Sequence, residues 1–318
     1  MFQVASRPVP ELSLPMSHSY GGHPNAPQNL QLPRTLSRPA FTEVSRNAIA
    51  ALEPELANVP VEFVRKHLAG QANEMLSALS LLTYPASLPK AHLPPTIDVP
   101  VRPTASSPPR AFPTHMLAVS SSRASPSQPN TPTAASFLAS NSPTTTVPLF
   151  PAHALVLAAY CPLLPQLPRS AGQRGSAAVS LPLVPLAVPS AETFHLLHAY
   201  LHTRRPDTLL AALLPSLASS LPPAHAASSS SSHQRSYVSN FSSESLLRLA
   251  HALAHNAAAH AGPQGALGGL MAHVKVINGL WRNVCALGVS DAELWGVMDV
   301  AWEIVLAALT RVVERERA

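Results

Sequence analysis

All three tryptophans of this 318-residue chain, Trp281, Trp295 and Trp302, stand in one proline-free block running from His273 to Leu309. Elsewhere prolines are frequent, 35 in all, and nearly all precede residue 225. Long Ser/Pro/Thr tracts cannot bury enough apolar surface to offset chain entropy. A core must therefore be assembled from the segments that escape them, and the tryptophan block is the most regular of these. Ser290-Asp-Ala-Glu293 matches a capping box, in which the serine accepts from the Glu293 amide and the Glu293 carboxylate returns to the serine amide. The helix that follows presents Leu294, Val297, Met298, Ala301, Ile304, Val305, Ala308, Leu309 and Val312 on one face. Trp295 and Trp302 fall on a neighbouring stripe. By itself this chemistry says buried helical core and nothing more.

The rest of the chain divides by composition. Residues 1–54 read as a disordered N-terminal region. Residues 55–83 carry a helical period, Val61, Val64, Leu68, Ala72, Met75, Leu79 and Leu82, opened by Pro60, stopped by Pro85 and broken near Gly70. Residues 84–109 read as a Pro-rich linker. A sheet-and-helix core is expected over 110–218, with a disordered insertion at 121–146. Its parts are a short strand in Arg110–Ser120, a second apolar island from Leu149 to Pro162, and an extended run from Ala178 to Leu186. Pro182 and Pro185 confine that last run to a sheet edge or a strand end. A helix follows, with Ser190 at its N-cap and Phe194, Leu197, Tyr200 and Leu201 on its apolar face. Residues 219–240 read as a Ser/His-rich linker. In the helical region 241–318, Gly262–Gly269 is expected to break one helix from the next. Phe150, His153, Leu155, Leu157, Phe194, Tyr200 and the three tryptophans are the expected core.

The formal charge is +5, carried mostly by scattered arginines. A nucleic-acid binder shows a clustered basic stripe instead, so direct DNA binding is disfavoured. No apolar run is long enough to cross a membrane. The N-terminal residues lack the apolar core of a secretory signal, and the two cysteines, Cys161 and Cys285, lie in apolar contexts. A nuclear or cytoplasmic setting with reduced thiols is expected. Ser107, Ser125, Thr131 and Ser142 each precede a proline in exposed-looking sequence and are candidate sites for proline-directed phosphorylation.

Fifteen histidines raise the question of a metal. His195, His198 and His202 share a helix face, and His251 and His255 are an i, i+4 pair with His260 beyond. Such pairs can bind zinc, which leaves a metal-binding or hydrolytic protein as the alternative reading. Neither set has the His-Glu-x-x-His spacing or a nearby carboxylate or cysteine ligand, so both are read as polar, partly exposed faces. There is no nucleophile elbow, phosphate loop or dinucleotide fingerprint, and the sixteen carboxylates are scattered. No catalytic residue and no cofactor are assigned.

Two resemblances add to this. The stretch Phe150–Leu163, then Val179–Val184, then Pro189–Thr203 resembles a BTB/POZ domain, with a strand entering a His-x-x-Leu-Ala helix and a later helix ending in Tyr-x-x-Thr. His202 stands for that family's second tyrosine and Arg204 for its glycine. The order of blocks across residues 55–310 is similar to the clampless proteins of basidiomycete fungi. The blocks are Val61–Leu68, Phe112–Val119, Leu149–Ala159, Ile277–Trp281 and Asp291–Trp295. The resemblance implies a regulator of sexual development, needed for clamp-cell formation on the dikaryon downstream of the mating-type homeodomain proteins. It implies no enzymatic activity. The expected fold is thus α+β, a small BTB/POZ-like core followed by a helical region. His153, Trp281, Arg282, Trp295 and Trp302 are the family-block residues expected in core or contact roles. Expected partners are regulatory proteins of the mating-type pathway, transcription factors among them, with a homodimer as a further option.

Overall fold

The computed structural model describes residues 32–103, 111–122, 146–170, 178–223 and 236–317, with backbone alone at 260–264 and 316–317. The α+β class holds. Strands β1 (Ser87–Pro89), β2 (Thr96–Pro100), β3 (His115–Ser121), β4 (Thr146–Ala152) and β5 (Ala178–Val188) form one sheet in the order β1-β4-β3-β5-β2. β3 is its centre. Leu117 sits opposite Phe150 of antiparallel β4 and opposite Val184 of parallel β5. Both faces of β3 are covered, which is why it lacks polar alternation. Leu117 and Val119 face the helices, whereas Met116 and Ala118 face a second cluster with Val99, Val147, Leu149, Val179, Leu181 and Leu183.

Two expectations about the sheet need correction. Residues 84–109 are not merely a linker, since β1 and β2 lie within them and form the two edges. Their short length and prolines hide them from any periodicity, yet such strands suit edges because an unpaired side needs no donor. β5, in turn, is interior in strand order despite Pro182 and Pro185. It changes partner midway: residues 178–182 pair with β2, and residues 183–188 pair with β3. Each half thus carries a ladder on one side only. The prolines are tolerated for the reason expected of an edge, at a position that is not one.

The helices are α1 (Arg46–Leu52), α2 (Val61–Gly70), α3 (Ala72–Ser80), α4 (Ala154–Tyr160), α5 (Ala191–Thr203), α6 (Pro206–Leu213), α7 (Ser243–Leu287) and α8 (Ala292–Arg317). The break near Gly70 is real, with Gln71 between α2 and α3. The expected disorder of residues 1–54 is corrected over its second part. Residues 1–31 lie outside the described residues, but Leu36, Val44 and Ile49 are buried and α1 packs on α4. The expected break at Gly262–Gly269 is also absent: α7 is one helix of 45 residues. Glycine costs a helix about 1 kcal/mol per site relative to alanine. Here Leu253, Ala266, Leu270, Val274, Ile277, Leu280, Val284 and Leu287 pin the helix to the core along its length, and tertiary packing outweighs propensity.

Caps are supplied partly by neighbours. Ser242 caps α7 by accepting from the Ser245 amide at 3.2 Å. The Ser290–Glu293 capping box does not form. Asp291 is the residue that accepts from the Leu294 amide, at 2.8 Å, and the Glu293 carboxylate takes the Tyr237 amide instead. At α5, Ser190 occupies the N-cap position without a side-chain cap bond. Asn283 of α7 clasps it instead, accepting from the Ser190 amide at 2.9 Å and donating to the Ser190 carbonyl at 2.7 Å.

One hydrophobic cluster runs from α2 and α3 through β3, β5 and α4–α6 into α7 and α8. α7 and α8 form a hairpin closed at Gly288, whose φ of 70° is left-handed. Gly288 donates to the Cys285 carbonyl and Val289 to the Val284 carbonyl, the two bonds of a Schellman stop. A Cβ here would meet Leu163 Cγ at 2.8 Å. Gly288→Ala should therefore lower stability by about 1–3 kcal/mol, read as a fall in the denaturant midpoint at unchanged slope.

Candidate functional site: the tryptophan face and its strap

The α7–α8 hairpin sets the three tryptophans against one irregular segment. An indole N–H buried without a partner is costly, and each of the three finds a carbonyl. Trp281 donates to the Ser37 carbonyl at 2.7 Å and Trp302 to the Pro33 carbonyl at 3.0 Å. Trp295 donates inward to the Val289 carbonyl at 2.9 Å, at the hairpin turn. Between the two outward-facing donors Leu36 is buried. Arg38 lies over the Trp295 ring at 5.5 Å and reaches Asp299 at 2.6 Å. Residues 33–38 thus form a strap across α7 and α8. It is held by two indole donors, one apolar anchor and one cation stacked on an aromatic face.

The structure brings Trp281, Trp295 and Trp302 together as one surface, and Arg282 sits half-buried beside Trp281. The partner of that surface, the strap, falls in residues that read as disordered from composition. A short Leu-Pro-x-x-Leu segment has no helical or strand period, and only its two leucines hint at an anchor. Ser107, Ser125, Thr131 and Ser142 lie outside the described residues.

His153 belongs to a second, fully internal group. It occupies the N-cap position of α4, and its ring lies 5.2 Å from His202, which lies 4.3 Å from His198. The expectation of a partly exposed histidine face is corrected here. His195 is exposed, but His198 and His202 are buried because α5 packs this side onto β4 and α4. A carbonyl can only accept, so each bond fixes a tautomer. His153 Nε2–H donates to the Ala111 carbonyl, His198 Nε2–H to Pro151, and His202 Nδ1–H to His198. His153 Nδ1 and His202 Nε2 are left as buried lone pairs without partners. Burial lowers His153 to about 4, with the neighbouring His202 adding to the effect. Burial also holds His198 well below, and His202 below, the ordinary histidine value. Among the described residues, no group of three or more His, Cys, Asp or Glu is placed to hold a metal ion. On α7, His251 is exposed and contacts Arg311 at 3.0 Å, His255 is exposed, and the His260 side chain lies outside the described residues.

A third group couples the ends of α4 and α5 to the start of α8. Asp291 accepts from the Tyr200 hydroxyl at 2.7 Å and pairs with Arg204. The Arg204 guanidinium lies 4.6 Å from the Tyr160 ring and 5.0 Å from the Tyr200 ring. Burial works to raise the Asp291 carboxyl, but the Arg204 charge and three hydrogen bonds outweigh it and hold the group below the ordinary carboxylate range. The ring stack and ion pair also hold Arg204 at a φ of 54°, the one positive φ outside glycine among the described residues.

Two family models match the chain. The Clampless protein 1 N-terminal domain matches residues 39–189, and the Clampless protein 1 C-terminal domain matches residues 207–318. Together they cover most of its length, and the chain belongs to the clampless protein family. Family membership is consistent with a regulatory role in sexual development. No curated protein and no solved structure matches, so the BTB/POZ resemblance rests on its sequence motifs alone.

Two measurements test these groups. The folded chain keeps His153, His198 and His202 neutral while the unfolded chain takes up protons below pH 6.5, so stability is full above that value and falls as pH drops towards 4. His153 alone accounts for about 2 kcal/mol between pH 7.5 and 5. Urea midpoints at the two values should show the loss, and His153→Gln should shrink it. For the strap, Trp302→Phe removes one indole donor and keeps an aromatic ring. Amide exchange across residues 33–38 should speed up about fivefold, the equivalent of one hydrogen bond near 1 kcal/mol.

Proposed function

We propose that this protein is a non-enzymatic regulator of fungal sexual development that acts through protein–protein contact at the tryptophan face of α7 and α8. Its role is in clamp-cell formation and dikaryon growth, downstream of the mating-type homeodomain proteins. The partners are regulatory proteins of that pathway, transcription factors among them, and the setting is nuclear or cytoplasmic. Family membership supports the developmental role. The observation that carries the mode of action is the strap. A face that grips an irregular segment by backbone carbonyls, one leucine and one arginine has the donors and the apolar anchor site that peptide recognition needs. The two internal polar groups, by contrast, are spent on the fold. The histidine tautomers are fixed by backbone carbonyls, and Asp291 is occupied by Tyr200, Arg204 and the α8 amide. No helix among the described residues is long and apolar enough to cross a membrane.

The test is complementation with affinity capture. A strain lacking the protein receives either the natural chain or the Trp281→Phe, Trp302→Phe double variant, with folding checked by circular dichroism. The natural chain should restore clamp cells and capture a defined set of regulatory proteins. The folded double variant should lose most of that set and restore few clamps. An unchanged partner set together with full clamp formation would sink the assignment of contact to this face.

A further inference from the structure

An arginine stands three residues before a serine only once in this chain, at Arg34-Thr-Leu-Ser37. That serine lies in the strap. Residues 32–45 carry neither helix nor strand, and the side chains of Arg34, Thr35, Ser37 and Arg38 are exposed while Leu36 is buried. The Ser37 carbonyl is the acceptor for Trp281, and the next residue, Arg38, is the one ionic tether described between strap and hairpin, to Asp299. An exposed hydroxyl is thus adjacent to the strap's hydrogen bond and to its ion pair at once.

We propose that Ser37 is a phosphorylation site for an arginine-directed serine/threonine kinase, and that the phosphate loosens the strap and uncovers Trp281 and Trp302. The inference rests on reading the tryptophan face as the contact surface. In the reaction the γ-phosphoryl group of ATP moves to Ser37 Oγ. The Oγ–P bond forms as the bridging β,γ O–P bond breaks, ADP leaves, and the hydroxyl proton passes to the base of the kinase. Arg34 provides the positive charge that such a kinase reads, and an exposed irregular segment is a backbone that can enter its cleft.

The direction of the effect follows from charge. A phosphoserine adds about −1.5 to −2 charges and three acceptor oxygens. It competes with Asp299 for the guanidinium of its own neighbour Arg38, and it repels the Asp299 carboxylate. The strap's two arginines are then neutralised against a helix that presents Asp299. Because Ser37 points outward, the phosphate meets no steric bar, and the loss is electrostatic.

The experiment uses the full chain, a purified arginine-directed kinase and ATP, with phosphate mapped by mass spectrometry and amide exchange followed across residues 33–45. Expected is one phosphate at Ser37, absent in Ser37→Ala and formed with kcat/KM at least about tenfold lower in Arg34→Ala. Exchange across the strap should rise about threefold to tenfold on modification. Asp299→Asn, a surface change, should open the strap and speed phosphorylation. The proposal is overturned if Ser37 stays unmodified even in Asp299→Asn, or if exchange is unchanged or slower after modification. These readings need no cellular partner. Their failure is therefore distinct from a failure of partner capture, which would remove the contact surface and leave the modification chemistry standing.

Discussion

Much of this structure depends on one partly buried carboxylate. Asp291 stops the turn after α7, caps α8, accepts the Tyr200 hydroxyl and neutralises Arg204. Arg204 in turn ends α5 in a left-handed conformation and stacks on Tyr160 from α4. The group therefore fixes the start of one helix, the end of another and the approach of a third. Removing one member of such a pair leaves a charge with little water and costs about 3–5 kcal/mol. The second clasp, Asn283 on Ser190, fixes the start of α5 from the same hairpin. With both ends of α5 held by α7 and α8, the sheet, which contacts α5 through β3, inherits its position from the C-terminal helices.

The long regular elements were legible in the sequence because repeated apolar spacing has one cheap solution. The face of α8 and the helix at 191–203 follow from it, whereas the strands around Leu117 and Leu149 show only as apolar islands between proline-rich stretches. Three kinds of feature were not legible. Edge strands β1 and β2 are too short and too proline-rich to show a period, and only their neighbours make them strands. The continuity of α7 overrides its own glycines, since its buried leucines and isoleucine are held by residues distant in sequence. Cap assignments slipped by a residue at α8 and moved to another helix at α5. A carboxylate with Tyr200 and Arg204 to satisfy outcompetes a serine, and that competition exists only in three dimensions.

The same holds for the candidate site. That Trp281, Trp295 and Trp302 are buried could be read from composition and spacing. That two of their indole donors reach across to Ser37 and Pro33 could not, because the strap has no local signature. The histidines show the opposite case. Helical spacing put His198 and His202 on one face, but spacing alone cannot say whether that face meets water. The packing of α5 against β4 decided it, and converted a ligand-like pattern into three neutral rings held by carbonyls.

The position of α5 has a consequence for how this family can be dissected. The two family models match residues 39–189 and 207–318, and α5 lies in the gap between them. Phe194, Leu197, Tyr200 and Leu201 of that helix are buried in the cluster that both matched segments share. The sequence boundary is therefore not a seam in the folded object. A cut there would expose on each fragment apolar surface that the intact chain keeps buried.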